Sequence, residues 1–190
     1  MVSSPFTPAN LRAAIRLALA AARACDARVA LTGGAALEAW GVSRATQDVD
    51  FVFLLPVQRR NDLREALVAR GATILEFRGD APATWLRVLI KNFQFDWLLA
   101  WDRPTQRALR RAVVRRVLGM RLPVLQPEDL ILLKLRVGRP RDLDDAARLY
   151  AYNTARLNRR YFTTAVRQLH LSREWTYLMR VLSSEQTRTT

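Results

Sequence analysis

The spacing of apolar and polar positions changes along the chain, and the changes divide it into elements. An alanine- and leucine-rich stretch punctuated by Arg12, Arg16 and Arg23 predicts a helix from Pro8, a good first-turn residue after Thr7, to about Asp26. "RVALT" then reads as a short buried strand, Arg28 to Thr32, broken by Gly33 and Gly34, and "AALEAW" as a short helix opening directly on those glycines. "DVDFVFLL" alternates acidic and apolar positions and predicts a second strand. "QRRNDLREALVARG" predicts a helix with Leu63, Leu67 and Val68 inward and Gly71 at its C-cap. "ATILEFR", "TWLRVLI" and "FQFDWLLA" are three more strands, the last two separated by a hairpin turn at Lys91-Asn92. After "DRPTQRALRRA" and a short extended "VRRVLGMRLPVL" the pattern becomes wholly helical from Pro127. "PEDLILLKLRVG" has Pro127 at its start, acids in its first turn and Gly138 as its stop; "RPRDLDDAARLYAYN", "NRRYFTTAVRQL" and "SREWTYLMRVLSS" follow, and "EQTRTT" reads as frayed. The pattern predicts a core over residues 1–125 and a helical region over residues 126–190 packed on it, since no low-complexity linker separates them.

Composition adds a partner class. Half the residues are apolar and a quarter charged, as in a folded soluble protein, and no run reaches the roughly 18 apolar residues of a membrane span. The N-terminal stretch lacks an uninterrupted apolar segment with a cleavage site, so it reads as a helix of a cytoplasmic protein without membrane association. The single cysteine, Cys25, excludes an internal disulfide and reads as a small core hydrophobe. The net charge of +14 favours a polyanionic partner. Of the 31 basic residues 29 are arginine, which indicates a coding bias; that bias explains Arg in place of Lys but not the scarcity of acids. A lone histidine, His170, argues against a histidine metal site or a serine–histidine–aspartate hydrolase.

Asp48 and Asp50 carry the candidate chemistry. Two apart on a strand, both point to one face, where they repel unless a cation bridges them; hard oxygen ligands suit Mg2+ or Mn2+. Asp96, in "FQFDWLL", supplies a third carboxylate if its strand lies beside the first. Gly33 and Gly34, ending a strand and opening a helix, allow a phosphate to approach the backbone. Metal beside a phosphate cradle is what nucleoside triphosphate chemistry requires.

"GG", "RATQDVDF" and the later Asp between apolar residues resemble the polymerase-beta-type nucleotidyltransferase superfamily. "PEDLILLKLRVGRPRDLDDAARL" more narrowly resembles the second block of the AbiEii-type toxin nucleotidyltransferases, including the MenT-like tRNA-modifying toxins; the resemblance spans about Leu31 to Leu149. It implies an α+β fold, a mixed sheet with flanking helices followed by a C-terminal helical bundle. It also implies that Asp48 and Asp50 hold the metal and position the triphosphate, and that Asp96 completes the site and helps deprotonate the attacking hydroxyl. Lys134 would contact phosphate oxygens, and Asp142 would hold that region or orient the base. Many members have Gly-Ser where this chain has Gly33-Gly34, leaving Thr32 or Thr46 to meet the triphosphate. The implied reaction is transfer of a nucleotide from an NTP onto RNA, most plausibly a tRNA 3′ end, by a toxin with a possible antitoxin partner.

Other readings of the same residues stay open. Asp96 caps the hairpin or pairs with Arg87; Arg44 contacts phosphate or pairs with Asp48; Lys134 reaches the triphosphate or pairs with Asp142. Asp142, Asp144 and Asp145 in a helix's first turn are favoured by its dipole in any case. Trp101, beside Asp102 and Arg103, is a core residue or a base-stacking platform. An aminoglycoside-type enzyme shares the glycine pair and the two aspartates but needs an acidic cleft; a protein-modifying transferase and a non-catalytic RNA-binding or antitoxin relative are the remaining alternatives.

Overall fold

The computed structural model describes residues 7–46, 48–78 and 85–188. Gln47, inside the "RATQDVDF" motif, and Thr84, at the start of a predicted strand, lie outside the described residues, as do Thr189 and Thr190. The chain divides into two compact units, residues 1–39 with 44–125, and residues 40–43 with 126–190.

The first unit is a seven-stranded mixed sheet with helices. Its helix α1, Pro8–Ala24, begins where Thr7 accepts a hydrogen bond from the Asn10 amide, and ends two residues before Asp26 because Asp26 turns left-handed at φ 56°. Strand β1 (Arg28–Thr32) leads into α2 (Gly33–Glu38), β2 (Asp48–Leu54), a 3-10 turn (Val57–Arg59), α3 (Arg60–Val68) and β3 (Thr73–Arg78). β4 (Trp85–Ile90), β5 (Phe93–Leu99), α4 (Arg103–Arg111), β6 (Val113–Val117) and β7 (Met120–Val124) complete it. The sheet order is β3-β4-β5-β2-β1-β7-β6, with β2 parallel to β5, β1 parallel to β7, and the other neighbours antiparallel.

Alternation in β2 and β5 sorts their side chains onto two faces. Phe51, Phe53, Phe95 and Trp97 pack together on one face, with the Phe51 and Trp97 rings 4.9 Å apart, and all four are buried. Asp48, Asp50 and Asp96 occupy the alternate positions and so the opposite face. Each buried aromatic contributes about 1.5–3 kcal/mol, enough to hold the register against the tendency of aspartate to disfavour strands.

Two hairpins have two-residue turns with both residues left-handed, Lys91-Asn92 (φ 50° and 68°) and Leu118-Gly119 (φ 52° and 70°). The twist of such turns matches that of the strands they join. The second hairpin corrects the single extended segment expected from "VRRVLGMRLPVL". Val68, expected inward on α3, is 48% exposed, whereas Leu63 and Leu67 are buried. α3 gives way at Ala69, and Gly71 follows at φ 82° in the turn that ends it.

The second unit is helical: α5 (Pro127–Val137), α6 (Pro140–Asn153), α7 (Arg159–Gln168) and α8 (Ser172–Arg188). Tyr150, Phe162 and Trp175 form its aromatic cluster, with the Phe162 and Trp175 rings 4.8 Å apart. Residues 40–43 belong here because Asn153 Nδ2 donates to the Trp40 carbonyl at 3.1 Å and Arg148 Nη2 to the Ser43 carbonyl at 2.7 Å. α8 continues to Arg188, so the start of "EQTRTT", expected to fray, is helical. No helix among the described residues is long and apolar enough to cross a membrane.

Candidate active site

The pairing register brings the predicted carboxylates together. In the parallel β2–β5 pair Asp50 stands opposite Asp96, and on the antiparallel side Asp50 stands opposite Thr32, the residue before the glycines. Asp48, two residues earlier on β2, shares the face of Asp50.

The geometry gives Gly33 a sharper role than phosphate approach alone. A Cβ on Gly33 would stand 1.9 Å from Asp50 Oδ2, and φ there is 61°, so both the conformation and the space require glycine. The carboxylate of Asp50 occupies the room a side chain would fill. Gly34 is enclosed by Thr46 and Arg44, whose Oγ1 and Nη1 lie 3.0 and 3.2 Å from where its Cβ would be. Thr46 is exposed and its hydroxyl donates to the Asp48 carbonyl at 3.3 Å. Gly33, Gly34, Arg44, Thr46, Asp48 and Asp50 therefore form one neighbourhood.

Asp96 has a partner. Arg87, opposite it across the β4–β5 hairpin, donates from Nε to Oδ1 at 2.7 Å and from Nη2 to Oδ2 at 2.6 Å. The guanidinium also lies 4.6 Å from the centre of the Trp85 ring, a cation–π contact. The bond to Asp96 raises the Arg87 pKa further above the guanidinium range, and the Asp48 charge acts in the same direction. Among the described residues no three His, Cys, Asp or Glu side chains are placed to hold a metal ion together. Asp48, Asp50 and Asp96 are hard oxygen donors of the kind that suit Mg2+ or Mn2+, but with Asp96 held by Arg87 they do not form a ligand set as they stand.

A cavity of about 600 Å³ reaches Asp48 but not Asp50 or Asp96, and is lined among others by Thr46, Asn92, Gln94 and Leu118. Its volume is within the usual range for a small-molecule site. Asn92 and Leu118 come from the two left-handed hairpin turns. Of the lining residues only Thr46 and Asp48 were read from the sequence as site residues; Leu118 is among those missed, and nothing in "VLGM" marks it beyond the glycine that follows.

Lys134 and Asp142 belong to the second unit and bind each other. The buried Lys134 Nζ donates to Asp145 at 2.7 Å and to Asp142 at 3.2 Å, tying α5 to α6. Asp145, read in the sequence only as a first-turn acid, is the closer partner. Cys25 is buried, and burial pushes its thiol pKa up, as suits a core residue. Trp101 is 46% exposed just before α4, whose first turn Asp102 caps by accepting from the Thr105 amide at 2.8 Å.

Among solved structures, the chain is similar to the solution structure of the antibiotic-resistance factor ANT(2'')-Ia at a TM-score of 0.57 and 17% identity, over 96% of this chain and 99% of that one. It is also similar to the crystal structure of an antigenic nucleotidyltransferase-like protein from Paracoccidioides brasiliensis, at a TM-score of 0.51 and 14% identity, over 87% of this chain and 91% of that one. The fold is that of the nucleotidyltransferases. No family model matches the chain, and no curated protein matches it in sequence. The nucleotidyltransferase fold is the mixed α/β architecture that the resemblance implied; the aspartates lie on the adjacent central strands β2 and β5, and the glycine pair opens α2 directly after β1.

Proposed function

We propose that the protein is a metal-dependent nucleotidyltransferase that moves a nucleotide from a nucleoside triphosphate onto RNA. The observation that carries this reading is the register that sets Asp50 beside Asp96, with Asp48 on the same face, in a nucleotidyltransferase fold. In this reading Asp48 and Asp50 would hold the cation, with Asp96 as the third carboxylate once freed from Arg87. The cation would neutralise the triphosphate charge that the carboxylates alone repel. Asp96 also draws the proton from the acceptor hydroxyl, whose oxygen attacks the α-phosphorus in line as the α–β phosphoanhydride breaks and pyrophosphate leaves. Thr46 and Arg44, around Gly34, are the side chains placed to meet phosphate oxygens. Lys134, held by Asp142 and Asp145, serves the α5–α6 tie.

The net charge of +14 supports a polyanionic acceptor. The fold likeness to an antibiotic-resistance factor raises a small-molecule acceptor as the second reading, but a polycationic drug would meet a strongly cationic protein. The finer assignment is to the AbiEii/MenT-like toxin branch, with a tRNA 3′ end as acceptor and an antitoxin as partner. Its support is the sequence resemblance from Leu31 to Leu149.

The test is incubation with each labelled NTP, Mg2+ or Mn2+, and total RNA. Label is expected in RNA, concentrated in the tRNA band. Label found only in protein, or only in an added aminoglycoside, would replace the acceptor; no metal-dependent transfer to any of the three would overturn the reading.

A further inference from the structure

Half the chain's net charge lies in one short stretch. Between Asp102 and Glu128 there are seven arginines and no acidic residue, in a protein whose total is +14. Coding bias explains arginine in place of lysine, but not the absence of every acid over that length. The stretch forms α4, β6 and β7, and β6 is one of the two outer strands of the sheet.

Arg116 and Arg121 stand opposite each other across the β6–β7 hairpin, and both are exposed. Like charges directly opposite on one face of a hairpin are destabilising, so the pair calls for an anion. With Arg115 and Gly119 they line a concavity of about 490 Å³. Arg12 extends the basic surface to the turn, its Nη1 lying 3.4 Å from where a Gly119 Cβ would be. The same turn holds Leu118 left-handed and carries it into the lining of the cavity that contains Asp48. One hairpin thus has an exposed arginine pair and a turn that lines the cavity containing Asp48. An arginine-rich outer strand also discourages edge-to-edge aggregation, a role that would need no ligand.

We propose that the β6–β7 hairpin is the track on which the phosphate backbone of single-stranded RNA lies while its terminal hydroxyl enters the Asp48 cavity, Arg116 and Arg121 each holding a phosphate. The guanidinium fork pairs with phosphate in a bidentate way, and a polyanion ending in a reactive hydroxyl is what a site at the hairpin tip requires. The proposal rests on RNA being the acceptor.

The test is fluorescence anisotropy of a labelled single-stranded RNA over a KCl series, with wild type and the Arg116→Gln/Arg121→Gln variant. Each lost phosphate contact lowers the slope of log affinity against log salt by about 0.7, so the variant's slope should be shallower by about 1.4. The variant's KM for RNA should rise severalfold while its KM for NTP is unchanged. Its melting temperature should be equal or higher, since both side chains are exposed and mutually repelling. Wild type that binds RNA with a salt slope the variant shares would overturn the track and leave RNA as acceptor. Wild type that binds no RNA would overturn both. Anionic vesicles bound more tightly than RNA would also overturn the track and assign the hairpin to a lipid surface.

Discussion

Replacing Arg87 by glutamine removes the guanidinium that holds both oxygens of Asp96 and tests whether that carboxylate belongs to a metal site. The two hydrogen bonds are short, at 2.7 and 2.6 Å, and charge-assisted bonds contribute about 1.5–3 kcal/mol when shielded. The Arg87 side chain is 34% exposed and that of Asp96 14%, so solvent screening reduces the pair to about 1–2 kcal/mol. A cation that uses Asp96 must first break the pair. Arg87→Gln should therefore bind Mn2+ about 5–30-fold more tightly than wild type, the factor that 1–2 kcal/mol represents. Alkali offers no route to the same release. The folded pKa of Arg87 is raised by Asp96, so the pair's stabilisation is fully present below the ordinary guanidinium pKa and is lost only as pH rises beyond it. In the proposed mechanism it is competition by a cation that would open the pair. The assay is calorimetric or electron-spin titration with Mn2+ at fixed pH, with a thermal melt of the apo variant alongside. The apo variant should lose stability by a similar amount, because Asp96 then lacks its guanidinium. Unchanged or weaker Mn2+ affinity in a folded Arg87→Gln protein would refute the reasoning: either Asp96 is no ligand or Arg87 does not compete for it.

Other substitutions test the supporting geometry. Gly33→Ala places a Cβ 1.9 Å from Asp50 Oδ2 at a left-handed φ, and should cost at least about 1–2 kcal/mol in denaturant melts and abolish Mn2+ binding; a stable variant with normal Mn2+ affinity would contradict the cradle. Lys134→Met leaves Asp142 and Asp145 without their ammonium and should destabilise by about 3–5 kcal/mol in urea unfolding, whereas a neutral effect would remove the α5–α6 tie from the account. Leu118→Gly relieves a left-handed leucine and should leave thermal stability equal or up to about 1 kcal/mol higher, while altering NTP affinity at the cavity it lines; a large loss of stability would show that its apolar packing dominates.

The carboxylate cluster was legible because it depends on local rules. Period-two alternation puts Asp48 and Asp50 on one face, and a two-residue turn at Lys91-Asn92 fixes the hairpin so that Arg87 falls opposite Asp96. That ion pair was one of three readings open for Asp96, beside a metal-site carboxylate and a hairpin cap. The requirement for glycine at position 33 was legible only in part: the sequence marks a break in β1, but the collision with Asp50 depends on the β1–β2 register. The β6–β7 hairpin was not legible, because Leu118 occupies a turn position where Asn, Asp or Gly is the usual signal, and because β7 joins β1 through a non-local parallel pairing. Val68 misled because an apolar residue at the end of a short helix does not need burial. Lys134 stood out as one of two lysines among 31 basic residues, and the partners it meets are the carboxylates of α6.

The central claim is that Asp48 and Asp50 hold the cation on which nucleotide transfer depends. Its most direct test is pyrophosphate release from NTP, with Mn2+ and RNA present, in wild type and in the Asp48→Asn and Asp50→Asn variants, each checked by a metal-free melt. The account predicts that release falls to background in both variants while each still unfolds cooperatively in the metal-free melt. Release at the wild-type rate from either folded variant would contradict it.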